Sequence, residues 1–114
     1  MTIRKATVLG AGTMGSQLAA LLVNAGLKVK LLDIVIDEQE PNKIAQKAYN
    51  IITDKKKPML FDLQYASNLS IGNFQDDLVQ GDDSDIYIEA VKEDIDIKHQ
   101  VWNQVQQIAK DSAI

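Results

Sequence analysis

Apolar residues in the first third of the chain change period twice. KATVLG (Lys5 to Gly10) is a continuous apolar run with β-branched residues, bounded by glycine, as in a short strand buried on both faces. The spacing then becomes helical. Met14, Leu18, Leu21, Leu22 and Ala25 fall at i, i+4, i+7, i+8 and i+11, which predicts a helix burying these residues. Gly26 stands where a helix C-cap belongs, and LKVKLLD (Leu27 to Asp33) reads as a second strand ending on a carboxylate. Strand, glycine turn, helix and strand within about 30 residues make one βαβ unit with a right-handed crossover.

Pro41 suits the first turn of the next helix, whose apolar face carries Ile44, Ala48, Ile51 and Ile52. DKKKPMLFDLQYASN is less regular and predicts a helix end at Pro58 with a short helical turn after it. LSIGN (Leu69 to Asn73) predicts a third strand and DIYIEAV (Asp85 to Val91) a stronger fourth. A last helix, with Ile97, Val101, Val105 and Ile108 on one face, runs to about Lys110. The expected architecture is α/β, an open, doubly wound parallel sheet covered by helices. DSAI then begins another apolar step, so the expectation is a domain over residues 1–114 cut at the edge of strand five.

At 114 residues and 46% apolar, the chain has the material for one small core. A formal charge of −4 argues against nucleic acid or an anionic membrane as partner. Cysteine is absent, which excludes disulfides and fits a reducing compartment. The opening MTIRKATVLGAG is too short in its apolar run for a signal peptide, and no stretch reaches the ~20 apolar residues of a membrane span. A cytoplasmic, soluble domain is expected.

VLGAGTMGSQ places three glycines in six positions after the first strand. Each weakens regular structure by roughly 0.5–1 kcal/mol relative to alanine, so each needs a reason. Gly10 permits a tight turn out of the strand, Gly12 lets backbone approach a pyrophosphate, and Gly15 allows the helix to pack close to the sheet. The helix starting near Thr13 aims its free N–H groups at the phosphates. Asp33, eighteen residues past Gly15, can accept both hydroxyls of an adenosine ribose. Flavin sites share the glycine fingerprint, so the motif alone does not select NAD; Asp33 bears on the choice between NAD and NADP. A 2′-phosphate ~4 Å from it costs roughly 4 kcal/mol at an effective dielectric of ~20. Even ~2 kcal/mol favours NAD over NADP by tens-fold. Ile34, Val35 and Ile36 follow, with no arginine to offset the repulsion.

VLGAGTMGSQLAALLVNAG, Asp33 and SDIYIEAVKEDIDIKHQVWNQV together resemble the NAD-binding, Rossmann-type domain of L-3-hydroxyacyl-CoA dehydrogenases. KKPMLFDLQYASNLSIGNFQDDL resembles the longer form found in bacterial multifunctional β-oxidation enzymes. The resemblance implies that Gly10, Ala11, Gly12, Thr13, Met14 and Gly15 hold the pyrophosphate and Asp33 the ribose. It implies that Ala90, Val91 and Glu93 line the cofactor site at the fourth-strand exit, with Lys98 reaching it from the next helix. Read without it, Glu93 and Lys98 are a helix-start carboxylate and a solvated lysine. The implied activity is oxidation of (S)-3-hydroxyacyl-CoA to 3-ketoacyl-CoA. The histidine base, its glutamate partner and the helical acyl-CoA domain are expected beyond Ile114, so this chain alone is expected to be inactive. A homodimer or a multifunctional β-oxidation complex is the implied assembly.

His99 lies off the apolar face of its helix, matches no catalytic position of that family and reads as a surface residue. Lys55, Lys56 and Lys57 read as a solvated helix end or, through the resemblance, as holders of coenzyme A phosphates. GDDSD reads as a solvated loop without a metal-binding arrangement. Two rivals stand beside the dehydrogenase reading: an NAD-sensing regulatory domain, and a two-domain dehydrogenase acting on a small hydroxy acid.

Overall fold

Four parallel strands, in the order β3-β2-β1-β4, form the sheet of the computed structural model. It describes residues 3–78, 83–90, 95–110 and 113–114, with 95–101 described by their backbone. The elements run β1 (Lys5–Leu9), α1 (Thr13–Asn24), β2 (Lys28–Asp33), α2 (Lys43–Ile52), a 3-10 turn (Leu63–Asn68), β3 (Leu69–Asn73), β4 (Ile86–Glu89) and α3 (Ile95–Ile108). β1 is central: Val8 sits opposite Leu31 of β2 and Ile88 of β4. β2 continues the ladder outward, with Asp33 opposite Asn73. Strand side chains alternate between two faces. Val8, Val29, Leu31 and Leu69 meet Ala19, Ala20, Val23, Ala48 and Ile52 on one face. Leu9, Leu32 and Tyr87 meet Phe74, Val105 and Ile108 on the other. The strand order reverses between β1 and β4, and their carboxyl ends open a crevice there.

The buried face of α1 differs from the periodicity reading. Gly15, Ser16, Ala19, Ala20 and Val23 are buried, whereas Met14 and Leu21 are 67% and 63% exposed. Leu18 and Leu22 are half-buried and Ala25 is exposed. The helix lies so close to the sheet that only small side chains fit beneath it, and size outweighs hydrophobicity in setting its rotation. Its end is as expected. Gly26 has φ +95°, and the N–H groups of Gly26 and Leu27 donate to Val23 O (3.0 Å) and Leu22 O (3.1 Å), a Schellman motif.

α2 is shorter than the expected helix end at Pro58 implies. It ends at Ile52 rather than near Pro58, because Thr53 Oγ1 donates to Tyr49 O (2.8 Å) and Asp54 Oδ1 accepts the Lys56 N–H (2.7 Å). Pro41 precedes the N-cap residue, Asn42, instead of lying in the first turn. The returning chain is clasped by Asn24, whose amide donates to Met59 O (3.1 Å) and accepts the Phe61 N–H (2.9 Å). β4 is also shorter than expected. Asp85 turns its carboxylate to the Arg4 and Lys5 N–H groups (2.9 and 3.1 Å) and to Lys110 Nζ (2.6 Å), tying β1, β4 and the end of α3 together. Ile114 lies beside β4, donating to Asp85 O and accepting from Tyr87 N–H, both at 2.8 Å, as in a parallel ladder.

Candidate functional site

The turn between β1 and α1 is built from the three glycines, and each does something different. Gly10 has φ +117°, a conformation that L side chains rarely adopt. A Cβ on Gly15 would sit 1.7 Å from the Gly10 carbonyl oxygen, so the helix approaches the turn only because that atom is missing. Gly12 is in extended backbone, with φ −76° and ψ −162°. A Cβ there would meet nothing within 4 Å. The fold has no need of glycine at position 12. Space is kept open above it.

Gly12 is also the N-cap residue of α1, and no side chain caps the helix nor is there an acid in its first turn. The first intrahelical bond runs from Ser16 N–H to Gly12 O (2.9 Å). The first-turn N–H groups therefore face the crevice with the positive end of the helix dipole, an arrangement suited to an anion. Thr13 and Met14 are exposed beside them.

Asp33 closes the other side of the turn. Its Oδ2 accepts the Ala11 N–H at 2.7 Å, and its Oδ1 accepts the Ile34 N–H at 2.6 Å. Two backbone amides thus fix the carboxylate, while each oxygen keeps a further lone pair for a ligand hydroxyl. Ala90, just past β4, donates its N–H to Leu9 O at 2.7 Å. Its Cβ lies 3.5 Å from where a Gly15 Cβ would be. The structure therefore brings Gly10 to Gly15, Asp33 and Ala90 together at one end of the sheet. Val91 and Glu93 lie outside the described residues, as do the side chains of Lys98 and His99 on α3.

A cleft of about 720 Å³ runs from the glycine turn to α2, with Ala11, Gly12 and Thr13 on one wall and Lys43, Ile44 and Lys47 on the other. Ile51 also lines it, so part of the apolar face of α2 faces this space. Lys55, Lys56 and Lys57 are exposed beyond the end of α2 and take no part in its lining. The lysines that do were missed. Their signal was the pair at i and i+4 flanking Ile44 on an apolar stripe wider than the core needs. Among the described residues no cluster of His, Cys, Asp or Glu could hold a metal ion, and no helix is long and apolar enough to cross a membrane.

Comparison with known proteins agrees with this geometry. Residues 5–114 match the family model described as 3-hydroxyacyl-CoA dehydrogenase, NAD binding domain. A probable 3-hydroxyacyl-CoA dehydrogenase of Deinococcus radiodurans is 41% identical over 100% of this chain and 33% of its own length. A putative fatty acid oxidation complex trifunctional enzyme of Rickettsia felis is 40% identical over 98% of the chain, which spans 16% of that protein. Among solved structures, (S)-3-hydroxybutyryl-CoA dehydrogenase from Ralstonia eutropha superposes with a TM-score of 0.67 at 28% identity, covering 99% of this chain and 40% of that one. The Escherichia coli 3-hydroxybutyryl-CoA dehydrogenase shares the fold at TM-score 0.76 and 20% identity, over 100% of this chain and 24% of the other. The chain thus spans a third or less of the length of these two sequence relatives, and over that span it belongs to the 3-hydroxyacyl-CoA dehydrogenase family as its NAD-binding domain.

Proposed function

We propose that this chain is the cofactor-holding part of an enzyme that oxidises (S)-3-hydroxyacyl-CoA to 3-ketoacyl-CoA. The observation that carries the reading is Gly12, a glycine that the fold does not require, placed under open space at an uncapped helix N-terminus. The residues present fit NAD. The α1 amides meet the pyrophosphate, Gly12 lets it approach the backbone, and Asp33 accepts the adenosine ribose hydroxyls. Ala90 walls the crevice next to the turn, and the family resemblance adds Val91, Glu93 and Lys98 to the proposed cofactor site. NAD, when bound, supplies the hydride acceptor.

The role of this chain is orientation. A cofactor held at both its pyrophosphate and its ribose is fixed in direction along the crevice, as hydride transfer requires. The histidine base and the acyl-CoA pocket are supplied by a further helical domain of the whole enzyme. The cleft beside α2 begins at the glycine turn, and its apolar lining with Lys43 and Lys47 at the wall suits the adenosine end of the dinucleotide and its phosphates. A multifunctional fatty-acid oxidation complex, supported by the trifunctional relatives, or a homodimer is the proposed assembly, and the cytoplasm the proposed compartment. Gly12→Val tests the site. It should keep a native-like circular dichroism spectrum with only a modest fall in Tm, because a Cβ there meets nothing within 4 Å although valine is a poorer N-cap residue than glycine, and abolish NADH binding. A folded variant that binds NADH normally would remove the turn from the site.

A further inference from the structure

Asn73, the last residue of β3, is 1% exposed. Its Oδ1 accepts the N–H groups of Gln75 (3.0 Å) and Asp76 (2.8 Å), and this pair of amide donors fixes which way the side chain points. Its Nδ2 must then face acceptors, and it does: Asp76 Oδ2 at 3.1 Å and Asn42 Oδ1 at 2.7 Å. Asn42 is the N-cap residue of α2, but its side chain caps nothing in its own helix. An asparagine at that position ordinarily accepts a first-turn N–H. Here it has been given to a strand end 31 residues away.

We propose that Asn73 and Asn42 form a positioning clasp for the dinucleotide cleft, an inference that rests on the function proposed above. The bond holds the first turn of α2, and with it Lys43, Ile44 and Lys47, against the carboxyl end of the sheet. Asn73 is the register partner of Asp33, and the Phe74 N–H donates to Asp33 O at 3.0 Å. One buried amide therefore connects the cleft wall to the strand that carries the ribose carboxylate. The loop that follows is seated from below. Asp77 Oδ2 accepts the Asn73 N–H at 2.8 Å, and a Cβ on Gly72 would fall 2.1 Å from that same oxygen. A buried amide with both its donors and both its acceptor sites engaged has one low-energy arrangement, which makes it a rigid reference point for α2.

Asn42→Ser separates positioning from capping. Serine is a good N-cap residue, so helix stability is kept, but its shorter side chain does not reach Asn73. NADH affinity and Tm are measured on the unmodified chain, Asn42→Ser and Asn42→Ala. We expect both variants to lower Tm, because each leaves a buried Asn73 donor without its acceptor, with Asn42→Ser losing less since serine can gain a cap bond, and both to weaken NADH binding about fivefold. Affinity unchanged in both variants, or an affinity loss that follows the loss of Tm from one variant to the other, would overturn the clasp as a positioning device. An unmodified chain that binds no NADH would instead overturn the dinucleotide reading, and the role of the clasp with it.

Discussion

A methyl group added at Gly15 would be 1.7 Å from a backbone oxygen, whereas one added at Gly12 would touch nothing. Two glycines of one motif thus differ: Gly15 serves the packing of α1, while Gly12 is left free for the role proposed above, the approach of the ligand. Alanine in a helix is ordinarily about 1 kcal/mol better than glycine. At position 15 overpacking reverses the sign, because the atom in the way is backbone and no rotamer change relieves the contact. We expect Gly15→Ala to destabilise the chain by about 1–3 kcal/mol, lowering Tm by several degrees in a thermal melt. An equal or higher Tm would mean that α1 does not lie this close to the turn. The roles of Gly10 and Gly15 were readable because strand, turn and helix follow one another in sequence. Asn73 and Asn42 were not, since each by itself looks like an ordinary turn or cap residue and only the fold joins them.

At the scale of elements, strand limits followed the apolar runs closely, with β3 falling on Leu69–Asn73 as read. Helices were harder. The face of α1 was misplaced because a close helix buries its small residues, and the end of α2 because Thr53 and Asp54 stop it before Pro58 does. Asp85 shows a further element-scale device that sequence alone could not assign. Its bond to Lys110 Nζ, then the Arg4 and Lys5 N–H groups, hold its carboxyl well below the usual carboxylate range. A carboxylate whose folded pKa lies below its unfolded value of ~3.9 contributes stability in full above about pH 5, and that contribution is lost as pH falls further. Asp85→Asn should therefore flatten the decline of Tm between about pH 5 and pH 2 relative to the unmodified chain. Parallel pH profiles would show that this junction of β1, β4 and α3 does not depend on the charge.

For the whole molecule, the sheet order places β1 and β4 side by side with the glycine turn, Asp33 and Ala90 at their carboxyl end. The choice of cofactor rests on Asp33. Both of its oxygens are held by backbone amides, so the carboxylate cannot swing away from a 2′-phosphate without breaking those bonds. Discrimination of tens-fold, corresponding to ~2 kcal/mol, is expected. The most direct measurement is a pair of calorimetric titrations of this chain, one with NADH and one with NADPH. The account predicts that NADH binds and that NADPH binds tens-fold more weakly. Equal affinity for the two, or no binding of NADH, would contradict it.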